Sequence, residues 1–300
     1  MLQHFDERNA NLMVNINGEL LHRDVAGISP FDSAIQGGDA VWEGLRVYEG
    51  RIFRLQEHLD RLRRSAEALS FETIPEDAFI IDQLRQTLEA NGMRDGVHVR
   101  LTLTRGVKIT SGMDPRLNQS GPTLIVLAEF KAPVYDTSGL TLNTSSLRRF
   151  PPHMLNQNIH SCNILQSILA KIEATSGGAD DALMLDEHGF LAETNATHVF
   201  IVKDGVVMTS TTTSCPEGVT RGVVLEICAA EEIPHEVRDI TLEEVHGADE
   251  VFCTGTMGEL AGVTRVDEHV IGDGETGAMT KRLSGMYMDR TSREGQQVVD

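Results

Sequence analysis

Three turn dipeptides, Asn17-Gly18, Glu49-Gly50 and Asp204-Gly205, each follow or separate short runs of apolar residues. Such pairs supply the positive-φ positions of tight hairpin turns, so the chain is committed to antiparallel strand pairs that no all-helical fold accommodates. Strands are expected at 12–16 before the first turn, at 44–48 and 52–55 around the second, and at 199–202 and 206–208 around the third. A further hairpin pairs 182–185 with 190–192.

Between these hairpins the periodicity changes. Leu59, Leu62, Ala66 and Leu69 recur at helical intervals from residue 56, and a second amphipathic run covers 79–88. Strands at 97–103 and 123–130 enclose a long Gly-, Pro- and Asn-containing loop over 105–122, a length that often carries function. A strand at 140–147, a helix at about 163–174 ending before Gly177-Gly178, a helix from near Thr220 that stops at Pro234, a strand at 250–253 and a helix at 278–288 complete the reading. The pattern is α+β with two domains: a small N-terminal α/β domain at 1–130, a linker at 131–139 with a Pro and a Gly, and a large C-terminal domain at 140–300.

Charge narrows the function classes. With 45 Asp and Glu against 26 Lys and Arg the net charge is -19, which disfavours nucleic acid as a partner. The apolar runs fall far short of the roughly 18–20 residues a membrane helix requires, and the N-terminal sequence has no secretory pattern, so a cytoplasmic location without membrane association is expected. The four cysteines are widely spaced with no C-x-x-C pair, and the histidines lack metal-ligand spacing, so no metal site is expected.

Gly218-Val219-Thr220 opens a helix, Gly255-Thr256 follows a strand, and Arg61 sits in a helix. Backbone N–H groups at a helix start, a Thr hydroxyl and a guanidinium together suit one phosphate. Singly, Gly-Thr pairs are more often plain turns, and a helical Arg is more often solvated.

Their order along the chain carries a resemblance. GDAVWEGLRVYEGRIFRLQEHLDRLRRSAEAL (38–69), ILAKIEA (168–174), GFLAETNATHVFIVKDGVV (189–207), PEGVTRGVVLE (216–226) and ADEVFCTGTMGEL (248–260) resemble, in sequence, the blocks of fold type IV pyridoxal phosphate enzymes. These are the class IV aminotransferases, which include branched-chain and D-amino acid aminotransferases. The resemblance implies a two-domain fold of that type with the cofactor at the domain interface, and a homodimer. It also implies cofactor binding by Arg61, Val219, Thr220, Gly255 and Thr256 at the phosphate and by Glu193 at the pyridine nitrogen. A carboxylate there keeps that nitrogen protonated and the ring an electron sink.

One position departs from the family. The segment that normally begins with the Schiff-base lysine, approximately I-K-S-x-N-x-L, reads Ile159-His160-Ser161-Cys162-Asn163-Ile164-Leu165 here. An imidazole forms no stable imine, so the expectation is pyridoxal or pyridoxamine 5'-phosphate held noncovalently, with His160 moving the proton. Lys171 and Lys203 are poorly placed to substitute; Lys108, in the long loop, reaches an active site only if that loop folds over it, and a loop lysine is more often a surface charge. The implied reaction is amino-group transfer between an amino acid and a 2-oxo acid. Its alternatives are a catalytically silent or repurposed homologue and a lyase or other non-transaminase enzyme on the same fold. Trp42, Arg46, Arg100 and Arg105 are candidates for substrate binding, although a strand Arg equally serves as a structural ion-pair partner. Gly37 stands where branched-chain members often carry a tyrosine, which implies a roomier pocket.

Overall fold

A computed structural model describes residues 4–133, 135 and 139–300. These form two compact units. Among the described residues, one comprises 4–132 together with Ile159–Asn163 and Thr291–Asp300; the other comprises residues within 133–158 and Ile164–Arg290. The linker expected at 131–139 lies partly outside the described residues, at 134 and 136–138.

In the first unit the order is β1 (Met13–Ile16), β2 (Glu19–His22), α1 (Ser33–Gly37), β3 (Ala40–Tyr48), β4 (Arg51–Ile52), α2 (Leu55–Ala68), α3 (Asp77–Ala90), β5 (Val97–Thr104) and β6 (Thr123–Phe130). Among the described residues these strands form an antiparallel sheet in the order Gln296–Gln297, β4, β3, β5, β6, β1, β2. Asn17 and Gly18, at φ 54° and 92°, make the first hairpin turn, and Glu49 and Gly50, at 48° and 82°, the second. The strand expected at 52–55 is shorter, because Leu55 is buried as the first residue of α2.

Alternate residues of β3 and β5 point to opposite faces. Val41, Leu45 and Val47 join Val99 and Leu101 in a core that includes Leu59 and Leu62 of α2 and Leu84 of α3. Glu43 is in phase with those β3 core residues and is fully buried. Trp42, Gly44 and Arg46 take the other phase of the same strand, opposite Thr102, Arg100 and His98.

The second unit contains β7 (Leu140–Arg148), α4 (Leu165–Ser176), β8 (Asp181–Leu185), β9 (Leu191–Thr194), β10 (His198–Lys203), β11 (Val206–Thr209), α5 (Val219–Ala230), β12 (His235–Val237), α6 (Leu242–His246), β13 (Glu250–Gly255), β14 (Glu259–Val266), β15 (His269–Val270) and α7 (Ala278–Arg293). Its sheet runs β12, β11, β10, β13, β14, β7, β8, β9, with β15 on β14. The β8–β9 and β10–β11 hairpins form as the sequence predicts. Parallel pairing of β7 with both β8 and β14 mixes the directions. The architecture is α+β. Among the described residues no helix is long and apolar enough to cross a membrane.

Candidate functional site

The core of the first unit holds a polar cluster where the strand and helix patterns predict apolar packing. His58 and Arg61 occupy the buried face of α2, three residues apart and hence neighbours on one side of the helix. Both reach Glu43. Arg61 donates from Nε to Oε1 at 2.8 Å and from Nη2 to Oε2 at 2.6 Å, and His58 Nδ1 lies 2.6 Å from Oε2. Burial alone would raise the Glu43 carboxyl, but Arg61 and then His160 outweigh it and hold it well below the carboxylate range.

His160 enters this cluster on a segment that adds to β3. Ser161 bridges Val41, the Trp42 N–H donates to the His160 carbonyl at 3.1 Å, and the Cys162 N–H donates to the Ala40 carbonyl at 2.8 Å. The His160 N–H donates to Ser65 Oγ at 3.1 Å. Its ring stacks on Trp42 with centroids 4.4 Å apart, and Nδ1 lies 2.6 Å from the Trp42 carbonyl. A carbonyl only accepts, so Nδ1 carries the hydrogen and the neutral ring keeps its lone pair on Nε2. Burial, then the Arg61 charge, hold the imidazole below its ordinary value.

The four candidates for substrate binding have different surroundings. The Arg100 guanidinium lies 4.0 Å from the Trp42 ring centroid, and Trp42 Nε1 donates to the Ser161 carbonyl at 3.1 Å. Trp42 therefore adjoins His160, and Arg100 lies over Trp42. Arg46 is buried in register with His98, and burial, with Lys131, Arg46 and Arg100 nearby, depresses His98 to about 3. Arg105 grips Asp39 through Nε and Nη2 at 2.6 and 3.1 Å and donates to the Leu69 and Ser70 carbonyls. These bonds tie the start of the long loop to the end of α2.

In the second unit Glu193, on β9, is buried and pairs with Arg149 at 2.9 Å. Arg149 also donates to the Thr194 carbonyl and to Ser167 Oγ. The two glycine turns converge on the start of β10. A Cβ at Gly218 would collide with the His198 ring, and one at Gly255 would meet Thr197 at 3.0 Å, so glycine is required for the first approach and favoured for the second. Val219 and Thr220 begin α5, where backbone N–H groups have no intrahelical acceptor. Thr256 follows Gly255 at the end of β13.

Arg221 is buried and donates to the Ser210 carbonyl at 2.8 Å, yet its Nε has no hydrogen-bond partner among the described residues, and neither has buried Thr254 Oγ1. An unbonded guanidinium N–H in the first turn of a helix fits an anion with several acceptor oxygens, as a phosphate has.

The lysines considered as substitutes are engaged elsewhere. Lys108 donates to the Gly112 carbonyl at 2.6 Å, Lys171 pairs with Asp181 at 2.6 Å and Lys203 with Asp249 at 2.8 Å. Sequence reasoning missed Glu43, His58, Arg149 and Arg221. Glu43 and His58 were detectable as charged or polar residues on otherwise apolar stripes; Arg149 carried no such signal.

The class IV amino-transferase pattern matches residues 40–266. The chain belongs to the class IV aminotransferase family and has its fold type IV architecture. It is 49% identical over 288 residues to branched-chain-amino-acid aminotransferase-like protein 2 of Arabidopsis thaliana, covering 96% of this chain and 52% of that protein. It thus spans about half the length of that relative. It is 32% identical to the branched-chain-amino-acid aminotransferase of Pseudomonas aeruginosa, with 92% of each chain covered. Among solved structures it resembles the T.th. branched-chain amino acid aminotransferase complexed with N-(5'-phosphopyridoxyl)-L-glutamate, with a TM-score of 0.87, 32% identity and 94% of each chain covered.

Proposed function

We propose that this protein is an enzyme that transfers an amino group between an amino acid and a 2-oxo acid, using pyridoxal or pyridoxamine 5'-phosphate without a covalent link to the protein. The observation that carries this reading is the geometry of His160, with Nδ1–H engaged and the Nε2 lone pair left as a base; the residue itself is read as standing at the family's lysine position. When bound, the cofactor supplies an electron sink that makes a hydrogen on the substrate carbon acidic. The protein's part is to bind, orient and move that proton. Val219, Thr220, Gly255 and Thr256 of the second unit, and Arg61 of the first, are the proposed phosphate ligands. Glu193, fixed by Arg149, is the proposed partner of the ring nitrogen. His160 Nε2 takes the proton and returns it. Trp42, Arg46 and Arg100 are proposed to contact substrate, with Arg105 shaping the loop beside them through Asp39.

A second copy of the chain is the proposed partner. Leu165, Ile168, Leu169 and Ile172 form an exposed apolar stripe on α4 at helical spacing, the kind of surface that marks an interface. A dimer in sedimentation that Ile168→Glu converts to monomer supports this; a monomeric unsubstituted protein overturns it.

A second reading has its own observation. Arg61, a proposed phosphate ligand, already directs Nε and Nη2 at Glu43, which favours a repurposed homologue that binds a different ligand or performs no transamination. Titration of the protein and of His160→Lys with both cofactor forms, followed by absorbance and by mass after borohydride, separates the readings. The expected result is saturable binding by both proteins, with mass added only to His160→Lys. Binding of neither form to either protein overturns the aminotransferase proposal.

A further inference from the structure

Around His160 the first unit gathers groups that proton uptake by an isolated imidazole does not require. Its Nδ1 lies 2.6 Å from the Trp42 carbonyl and also 3.5 Å from Glu43 Oε1. Glu43 is held in place by two bonds from Arg61 and one from His58. The peptide of His160 is anchored through Ser65 and Trp42, and its ring rests on the indole. Position and ring plane are therefore fixed independently of Glu43, and the carboxylate acts on the ring's charge and tautomer.

We propose that Glu43 is a positioning residue for His160: with the Trp42 carbonyl it locks the imidazole in the Nδ1–H tautomer and offsets the positive charge that appears when Nε2 takes a proton. This rests on the reading of His160 as the proton carrier. One proton enters at Nε2, none leaves Nδ1, and the ring changes from neutral to +1. A base whose developing charge is offset on the side of its second nitrogen by a buried carboxylate follows the logic of a catalytic triad.

The surrounding charges determine what Glu43 must do. Arg61 on α2 opposes the imidazolium, as does burial, whereas Glu43 on β3 and the Trp42 carbonyl favour it. His58 faces Glu43 rather than His160. Arg100, on β5, lies over the indole and 3.9 Å from the Cys162 thiol. Without the Glu43 charge, Arg61 would oppose a protonated His160 with less to offset it. Two charges this close interact strongly at the effective dielectric of a protein interior. Loss of the Glu43 charge should therefore reduce the proton affinity of Nε2 by about tenfold or more.

The test is nitrogen-15 NMR of histidine-labelled protein without cofactor. The tautomer and titration of His160 are read in the unsubstituted protein, in Glu43→Gln and in Glu43→Asp, with His160→Gln to assign the signal. The expected result is a neutral His160 protonated at Nδ1. Its midpoint should fall by about one pH unit or more in Glu43→Gln and by less in Glu43→Asp, where the charge is retained but withdrawn. A neutral ring protonated at Nε2, or an unchanged midpoint in Glu43→Gln, overturns the proposal. Should Glu43→Gln fail to fold, the tautomer of the unsubstituted protein and the Glu43→Asp shift still decide it. The function proposal fails separately: with cofactor bound, substrate α-proton exchange that persists unchanged in His160→Gln removes His160 as the base without touching the NMR result.

Discussion

Two buried glutamates, one in each unit, are compensated differently. Glu43 lies on the core face of an antiparallel sheet and faces a guanidinium and two imidazoles drawn from α2 and from the segment at 159–163. Glu193 lies on the short strand β9 and faces Arg149, whose other bonds go to a hydroxyl and a carbonyl. Arg149 thus has further acceptors if its carboxylate is lost. Glu43 instead takes partners from two separate stretches of chain, so its charge ties together positions more than a hundred residues apart.

Removing each carboxylate is the sharpest test of that difference. Glu43→Ala breaks the buried pair with Arg61 and is expected to cost about 3–5 kcal/mol of stability. Glu193→Ala, with Arg149 still bonded to Thr194 and Ser167, is expected to cost about 1–3 kcal/mol. Urea unfolding midpoints read both, and equal losses would break the comparison.

The first unit should also be the more acid-sensitive. His98 titrates at about 3, well below its ordinary value of 6.5, because burial and then Lys131, Arg46 and Arg100 disfavour its charged form. The unfolded chain therefore binds a proton between those two values that the folded chain refuses. The stability contribution is intact above about pH 6.5 and falls with acidification by roughly 1.4 kcal/mol per pH unit. At pH 5 the loss is about 2 kcal/mol. Replacing His98 by Gln should flatten this part of a plot of unfolding free energy against pH; an unchanged slope would show that other groups cause it.

Smaller effects are expected in the second unit. Thr241 and Glu244 form a reciprocal capping box at the start of α6, and Thr241→Ala should cost about 1 kcal/mol. Gly222, inside α5, has open space where a Cβ would stand, so Gly222→Ala should stabilise by about 0.5–1 kcal/mol. At Gly218, four residues earlier, the same substitution collides with His198 and should weaken phosphate binding, read by calorimetry with pyridoxamine phosphate.

How far the sequence revealed this structure depends on the range of the interaction involved. Alternation from Val97 to Thr104, the hairpin turns and the helical spacing of Leu59, Leu62 and Ala66 are local, and the elements form close to where those patterns lie. The parallel pairing of β7 with β8 and β14 is non-local and left no local signal, and β14 itself went unread. The site divides in the same way. His160 was singled out from its sequence segment, but the bond from its Nδ1 to the Trp42 carbonyl joins positions 118 residues apart. Glu43 stands in VWEGLRVY, in phase with Val41, Leu45 and Val47; only the arrival of His58 and Arg61 from α2 explains a charge there.

The segment that carries His160 has a consequence for solubility as well as chemistry. Over its first residues β3 pairs with β5 on one side, and on the other it offers backbone groups that Ser161 and its neighbours satisfy. A strand left open at that edge is a template on which a foreign strand can add. Cleavage of the peptide near residue 160 would uncover it, so a nicked chain should aggregate by strand addition before either core unfolds.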